Sequence, residues 1–439
     1  MTVAPDAGRS LGTNLTSTFI QDSTRMAAEH GPVFRRSLHH LEFTFVTDPE
    51  LVAELSDEQR FTKNVLPNLD ALRPVLGDGL ITAHTHEPNW RAAHELLMPA
   101  FSQAAMRRYH PVMLAVTGEL VAAWDRAAGG APVDVAADMT KMTLEVIGRA
   151  GFGYSFGSFE TGRTHPFVTA LKECMVHGQR TVTRPPIVGG LLGRRADERN
   201  AENIAYLNAV VDEVIDARGR EGGDDLLTLM LAAGTLDRVN IRYQVLTFLA
   251  AGYETTATAA AFALYYLANN PDVLAAARAE ADAVLGGEVP SFEQIGKLRY
   301  LRRVVDEALR LWPPAPGYAR HALADTVLGG RYPMRAGESM FVLLPALHRH
   351  PVWGEDPEAF DPDRFLPERI RRRPAHAFKP FGTGQRACIG RQFAVHETLV
   401  VVSTLLHRYE LVPDPDYRLR VQELIAFRPA GFTLGLRRR

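Results

Sequence analysis

Phe381-Gly-Thr-Gly-Gln-Arg-Ala-Cys-Ile-Gly390 is a glycine-punctuated loop that brings one cysteine, Cys388, to the start of a long apolar helix. A helix N-terminus offers unpaired N–H groups and partial positive charge. A cysteine held there loses its proton readily and becomes a thiolate suited to a metal such as iron. Gly382 and Gly384 permit the tight loop, and Gly390 lets backbone pass close to a flat ligand. Arg386 is placed to hold an anionic edge of such a ligand, and Phe381 to keep water from the sulfur. The second cysteine, Cys174 in Leu-Lys-Glu-Cys-Met-Val, has no such surroundings and reads as a small buried hydrophobe.

The pattern around Cys388 resembles the heme-binding signature of the cytochrome P-450 superfamily. The resemblance implies that Cys388 is the axial ligand of heme b (iron protoporphyrin IX). It also implies a mostly α architecture, a large helical body with a small β region.

The composition is ordinary for a globular protein. The 439 residues are 46% hydrophobic and 23% charged, with a net charge of −2, which gives no global argument for nucleic acid or an anionic membrane as partner. No linker or repeat divides the chain, so one domain over 1–439 is expected. Two cysteines in different settings make no disulfide framework, which fits a reducing cytoplasm. The N-terminus lacks the order of a signal peptide, and no apolar run reaches membrane-spanning length.

Alternation predicts a hairpin over Val33–Arg36 and Glu42–Val46, and helical spacing dominates from Pro49 to Leu311. A turn is expected at Gly329-Gly330, a buried strand at Met340–Leu344, and final strands at Tyr409–Val412 and Phe432–Leu436. Ile241–Ala268 reads as one buried helix of roughly 40 Å, apolar nearly all round. Its middle, Ala250-Ala-Gly-Tyr-Glu-Thr-Thr256, sets an acid and two hydroxyls among small residues.

In the superfamily an acid–alcohol pair on this helix relays protons toward dioxygen, and the resemblance assigns that role to Glu254 and Thr255. A second reading has Thr255 bonding back to the preceding turn and bending the helix. Ala251 and Gly252 would leave room above the heme. Because peroxide-dependent relatives generally lack the pair, it favours O2 plus electrons.

Glu307 and Arg310 share a helical face, and with Arg364 they resemble the superfamily's structural Glu-Arg-Arg triad. The heme propionates need charge-assisted donors. Trp90, His94, Arg320, Arg386 and, more weakly, Lys63 match positions that supply them in relatives.

The similarity is strongest to the heme domain of bacterial self-sufficient fatty-acid hydroxylases. Thr85–Trp90, Pro99–Gln103, Asn240–Gln244, Asp325–Gly330 and Ala377–Gly382 carry it. Two departures matter. Those enzymes continue into a fused reductase, whereas this sequence stops at Arg439, so a separate ferredoxin or flavodoxin with its reductase is expected. Arg91, Lys379 and Arg391 either attract that acidic partner or are simply solvated, and Arg371–Arg373 reads as a solvated loop.

Second, the arginine and tyrosine that hold a fatty-acid carboxylate become Leu41 and Phe45, and the aromatic above the heme becomes Ile81. No cation or phenol is left at those two places. Leu69, Leu76, Ala251, Ala315, Gly317, Tyr318 and Ile425 complete the expected pocket wall, although apolar residues there equally suit a core. Pro185–Gly193 stands where relatives carry a lid, and its glycines and prolines argue against a continued helix.

The expected activity is monooxygenation of a hydrophobic small molecule, by preference in natural-product tailoring. The alternatives are a fatty-acid hydroxylase, a heme-binding sensor, and a heme enzyme that consumes no oxygen.

Overall fold

The structure, a computed structural model, describes residues 4–10, 18–160, 164–182, 184, 189–286, 289–423 and 426–439. It is mostly helical with a smaller β region, as expected. The described residues form two compact units, each assembled from separated stretches of chain.

The first unit comprises Met1–Leu66, Asp306–Cys388 and Gln422–Arg428. Its six-stranded sheet runs in the order Asp6–Ser10, Val33–Leu38, Leu41–Val46, Ser339–Leu343, Gly317–Ala322, Phe61–Asn64. The expected hairpin pairs Val33 with Val46 and Leu38 with Leu41, and turns at His39, whose φ is +54°. Alternation along the strands sends Phe34, Phe45, Phe341 and Leu343 to one core cluster, and Val46, Phe61, Val342 and Leu344 to another. The Gly329-Gly330 turn joins Thr326–Leu328 to Tyr332–Met334, with φ of +57° and +67° that L side chains resist. The Phe19–His30 helix is capped from far along the chain, because the Glu423 carboxylate accepts from Ile20 N (2.9 Å) and Gln21 N (2.7 Å).

The second unit comprises Pro67–Val305, Ile389–Val421 and Pro429–Arg439. Its core is the Arg238–Asn269 helix, which packs on Val135–Phe152 and Arg391–Arg408. Asp237 starts that helix by accepting from Asn240 N at 2.7 Å. A three-stranded sheet orders Tyr409–Pro413, Thr433–Arg438 and Val133–Asp134. Among the described residues no helix is long and apolar enough to cross a membrane.

Among the described residues six strands escape the sequence pattern: Asp6–Ser10, Phe61–Asn64, Val133–Asp134, Gly317–Ala322, Val421–Glu423 and Phe427–Pro429. The last two pair with each other, and the first four form because a distant partner strand supplies the hydrogen bonds, Gly317–Ala322 in the case of Phe61–Asn64. The expected break at Pro185–Gly193 is corrected in part. Residues 185–188 lie outside the described residues, and a helix begins at Gly189, so the glycines from 189 onward are helical.

Candidate active site

The cysteine loop sits in the first unit. Gly382 and Gly384 adopt φ of +72° and +66°, and the loop closes with Cys388 N donating to Phe381 O at 2.8 Å. The φ at Gly384 is what requires glycine; a Cβ there would also lie 2.1 Å from Glu58 Oε1 and displace that carboxylate from the loop. The same oxygen accepts from Gln385 N at 2.8 Å, so Glu58 holds the loop from outside. Cys388 is exposed, two residues before Gly390, the N-cap of the Arg391–Arg408 helix. Gly390 has φ −82°, which any residue adopts. Cys174 is buried, and burial pushes its thiol up to about 12, which keeps it protonated.

Behind the loop stands His348, which no pattern in the sequence singles out. It is fully buried, and Lys379 N donates to its Nε2 at 3.1 Å. The proton is thereby assigned to Nδ1, which donates to Arg310 O at 3.1 Å. Burial lowers its pKa to about 3, so the imidazole stays neutral. One side chain therefore ties the start of the loop to the end of the Arg299–Leu311 helix.

The expected triad is assembled there. Arg310 grips Glu307 with two bonds, Nε to Oε2 at 2.6 Å and Nη2 to Oε1 at 2.7 Å, and both residues are fully buried. Arg364 Nε lies 3.5 Å from Glu307 Oε1, while its other nitrogens donate to Trp353 O and Asp356 O. Arg310 also donates to the carbonyls of His348, Pro357 and Ala359, which fixes the loop beyond. The reading of Arg371–Arg373 as a solvated loop needs correction. Arg371 and Arg372 are exposed but end the Pro367–Arg372 helix, and Arg373 lies 3.6 Å over the Trp353 ring and donates to Arg364 O. Burial and the nearby Arg310 lower its pKa to about 10.

Lys63 and Arg320 are paired across adjacent strands, which puts their side chains on one face of the sheet together with Tyr318. Arg320 Nε and Nη2 donate to Leu55 O and Phe61 O, both at 2.9 Å, so this arginine braces the chain beside the sheet. Burial, reinforced by the positive charge of Arg386, lowers the Lys63 pKa to about 7. The Tyr318 hydroxyl is buried with no hydrogen-bond partner, and burial keeps it protonated. Two cations that repel each other and a phenol with nothing to donate to make an incomplete set. A heme propionate would complete it, and the exposed Cys388 sulfur suits the iron, so the residues fit heme.

The second unit carries the remaining candidates. Trp90 is buried and stacks on His94, with ring centroids 5.0 Å apart, on the Pro88–Leu97 helix. Glu254 and Thr255 are half-buried midway along the Arg238–Asn269 helix, and Thr255 Oγ1 donates to Ala251 O at 2.7 Å. The back-bonding reading therefore describes this hydroxyl, whose acceptor lone pairs are left for another donor. A Cβ on Gly252 would meet Ile147 at 3.5 Å, an ordinary contact, so Gly252 faces the neighbouring helix and packing there does not demand a glycine.

The proposed wall divides. Leu41, Leu69, Ile81 and Ala251 are half-buried and Ala315 is exposed. Phe45 and Leu76 are corrected: at 0% and 1% exposure they are core, with Phe45 packed among Phe19, Phe34 and Phe341. Gly317 is glycine because a Cβ would lie 2.2 Å from Val342 O. Ile425 lies outside the described residues. The hairpin does keep a cation on the face of Leu41 and Phe45, since Arg36 stands opposite Phe43. It is 8% exposed and its Nη1 donates to Phe19 O and Ser23 Oγ, so it braces the first helix rather than facing a ligand.

A family model described as Cytochrome P450 matches residues 8–434. The chain is 42% identical over 433 residues to the bifunctional cytochrome P450/NADPH–P450 reductase 2 of Bacillus subtilis, covering 95% of this chain and 40% of that protein. It is 36% identical over 440 residues to the self-sufficient cytochrome P450 monooxygenase CYP505U2 of Exserohilum turcicum, covering 98% of this chain and 41% of that protein. The chain thus spans about two-fifths of the length of these relatives. The crystal structure of a cytochrome P450, CYP102L1, superposes with a TM-score of 0.92 at 44% identity, covering 96% of this chain and 98% of that one. A cysteine loop built on two left-handed glycines, a buried Glu-Arg-Arg cluster and an end-to-end family match agree, and the chain belongs to the cytochrome P450 family.

Proposed function

We propose that the chain is the heme domain of a monooxygenase that hydroxylates aliphatic chains of the fatty-acid type, in the cytoplasm, with electrons from a redox protein. The observation that carries the reading is the loop around Cys388, closed on Phe381 O and backed by Glu58 and His348. Heme, when bound, supplies the iron at which dioxygen is reduced. Cys388 would ligate it, Arg386, Lys63 and Tyr318 would take propionate charge, and Trp90 and His94 are the further donors that the family resemblance suggests.

Thr255 and Glu254 manage protons in this reading. The Thr255 hydroxyl gives its hydrogen to Ala251 O, so passing a proton on requires it to release that carbonyl while accepting from a neighbour. A half-buried Glu254 on the next position can exchange protons with water.

The substrate is gripped by its chain rather than its head. Leu41 and Phe45 offer no charge, and Arg36 is enclosed under the first helix. Laurate and 1-dodecanol should therefore shift the heme spectrum with dissociation constants within about threefold of each other. A preference for laurate above tenfold, worth about 1.4 kcal/mol, would require a cationic anchor and overturn this grip. Ile81, in place of an aromatic, favours a second reading in which a bulkier natural product is oxidised, and tighter shifts with polycyclic or terpenoid compounds would select it. The heme-thiolate reading itself fails if the reduced protein under carbon monoxide gives no long-wavelength Soret band, or if Cys388→Ser still gives one.

A further inference from the structure

The Asn240–Gln244 stretch, marked in the sequence by resemblance alone, forms a polar clamp inside the second unit. Gln244 is fully buried and Asn240 is 2% exposed. Gln244 Oε1 accepts from Leu80 N at 3.1 Å, and its Nε2 donates to Asn240 Oδ1 at 3.0 Å. Asn240 Nδ2 donates to Asp78 Oδ1 at 2.8 Å, and Asn89 Nδ2 to the other oxygen of that carboxylate at 2.7 Å. The Gly77–Ile81 segment is thereby laid flat on one stripe of the Arg238–Asn269 helix.

The glycines confirm how close the approach is. A Cβ on Gly77 would lie 2.1 Å from the Tyr243 ring, and one on Gly79 would lie 2.1 Å from Thr247 Oγ1. Thr247 Oγ1 is buried and has no hydrogen-bond partner, so the helix accepts an unsatisfied hydroxyl where the segment presses on it. Asn240, Gln244, Thr247, Ala251 and Thr255 follow one another at three- and four-residue spacing, hence on one helical face. Gln244 precedes Ala251 by two turns, about 10 Å.

We propose that Gln244 is a positioning residue that fixes the backbone at Leu80 and so aims Ile81, setting which carbon of the substrate is oxidised. The inference rests on the monooxygenase reading and on Ile81 as a wall residue. Gln244 Oε1 joins the clamp to Leu80, the residue before Ile81, so loosening that bond lets the Ile81 side chain turn without substituting Cys388, Glu254 or Thr255.

The test compares the heme-loaded protein with Gln244→Met, which keeps the length and loses the acceptor, and Gln244→Glu, which keeps an acceptor for Leu80 N. Amide exchange at Leu80 should quicken about tenfold in the Met variant, as expected for one lost hydrogen bond. Its hydroxylation positions along laurate should spread, and KM should rise with kcat within twofold. The Glu variant should keep the native product ratio. Unchanged exchange overturns the clamp, and faster exchange with an unchanged product ratio overturns the aiming role. A native protein that turns over no substrate would fail the monooxygenase reading, while the exchange result would still judge the clamp. If Gln244→Met does not fold, Asp78→Ala loosens the same clamp from its partly exposed end and is held to the same two outcomes.

Discussion

Lys63 gives the sharpest quantitative prediction, because its pKa falls from 10.5 to about 7 in the heme-free chain, chiefly through burial and then through repulsion by Arg386. The unfolded chain keeps this proton up to pH 10.5, whereas the folded chain releases it above about pH 7. Between those values the unfolded state binds more protons, so stability rises with pH by up to about 1.4 kcal/mol per unit. Below pH 7 both states are protonated and the full cost is present. Urea unfolding of the heme-free protein at pH 7.5 and 9.5, beside Lys63→Met, isolates this proton, since other groups contribute equally to both chains. The native chain should gain about 2 to 3 kcal/mol over the variant across that interval. A gain below about 0.5 kcal/mol would refute the reasoning. A propionate docking on Lys63 restores the proton, so at pH 8.5 heme binding to the native chain should take up close to one proton more than heme binding to Lys63→Met, read by calorimetry in two buffers of different ionisation enthalpy; the proton that Cys388 releases on ligation is common to both and cancels.

Three further outcomes follow from the geometry. Gly384→Ala forces a Cβ onto Glu58 at φ +66°, and should cost about 1–3 kcal/mol and move the carbon-monoxide band of part of the protein to shorter wavelength as thiolate ligation is lost. Arg310→Met leaves Glu307 buried without its two-bond partner, and should lower unfolding stability by about 3–5 kcal/mol and abolish heme retention. Glu254→Gln combined with Thr255→Val should leave the carbon-monoxide spectrum intact while at least half of the consumed oxygen appears as hydrogen peroxide, measured with a surrogate reductase. Tight coupling in that double variant would end the proton-relay role.

What could be read in the sequence was what local spacing encodes. The cysteine loop needs glycines at fixed offsets, Glu307 and Arg310 need one helical face, the first hairpin announces itself by alternation and the second by its Gly329-Gly330 turn. What could not be read depends on strands that meet from afar. Lys63 and Tyr318 share a face only because Phe61–Asn64 pairs with Gly317–Ala322, and His348 reaches Lys379 only after the chain has turned back through the triad. Phe45 and Leu76 show the other failure, because an apolar residue looks alike whether it lines a pocket or fills a core. Arg373 shows it for a cation, which sits over an indole where the sequence suggests a solvated loop.

The cap on the Phe19–His30 helix has a bearing on biosynthesis. Glu423 is translated 403 residues after Ile20, and ribosomes add about 5–20 residues per second, so that helix waits roughly 20–80 s for its acceptor. During that interval its two leading amides have only water to bind. The nascent first unit thus lacks this cap until Glu423 has been made, which leaves time for a prosthetic group to arrive before the helix is fixed.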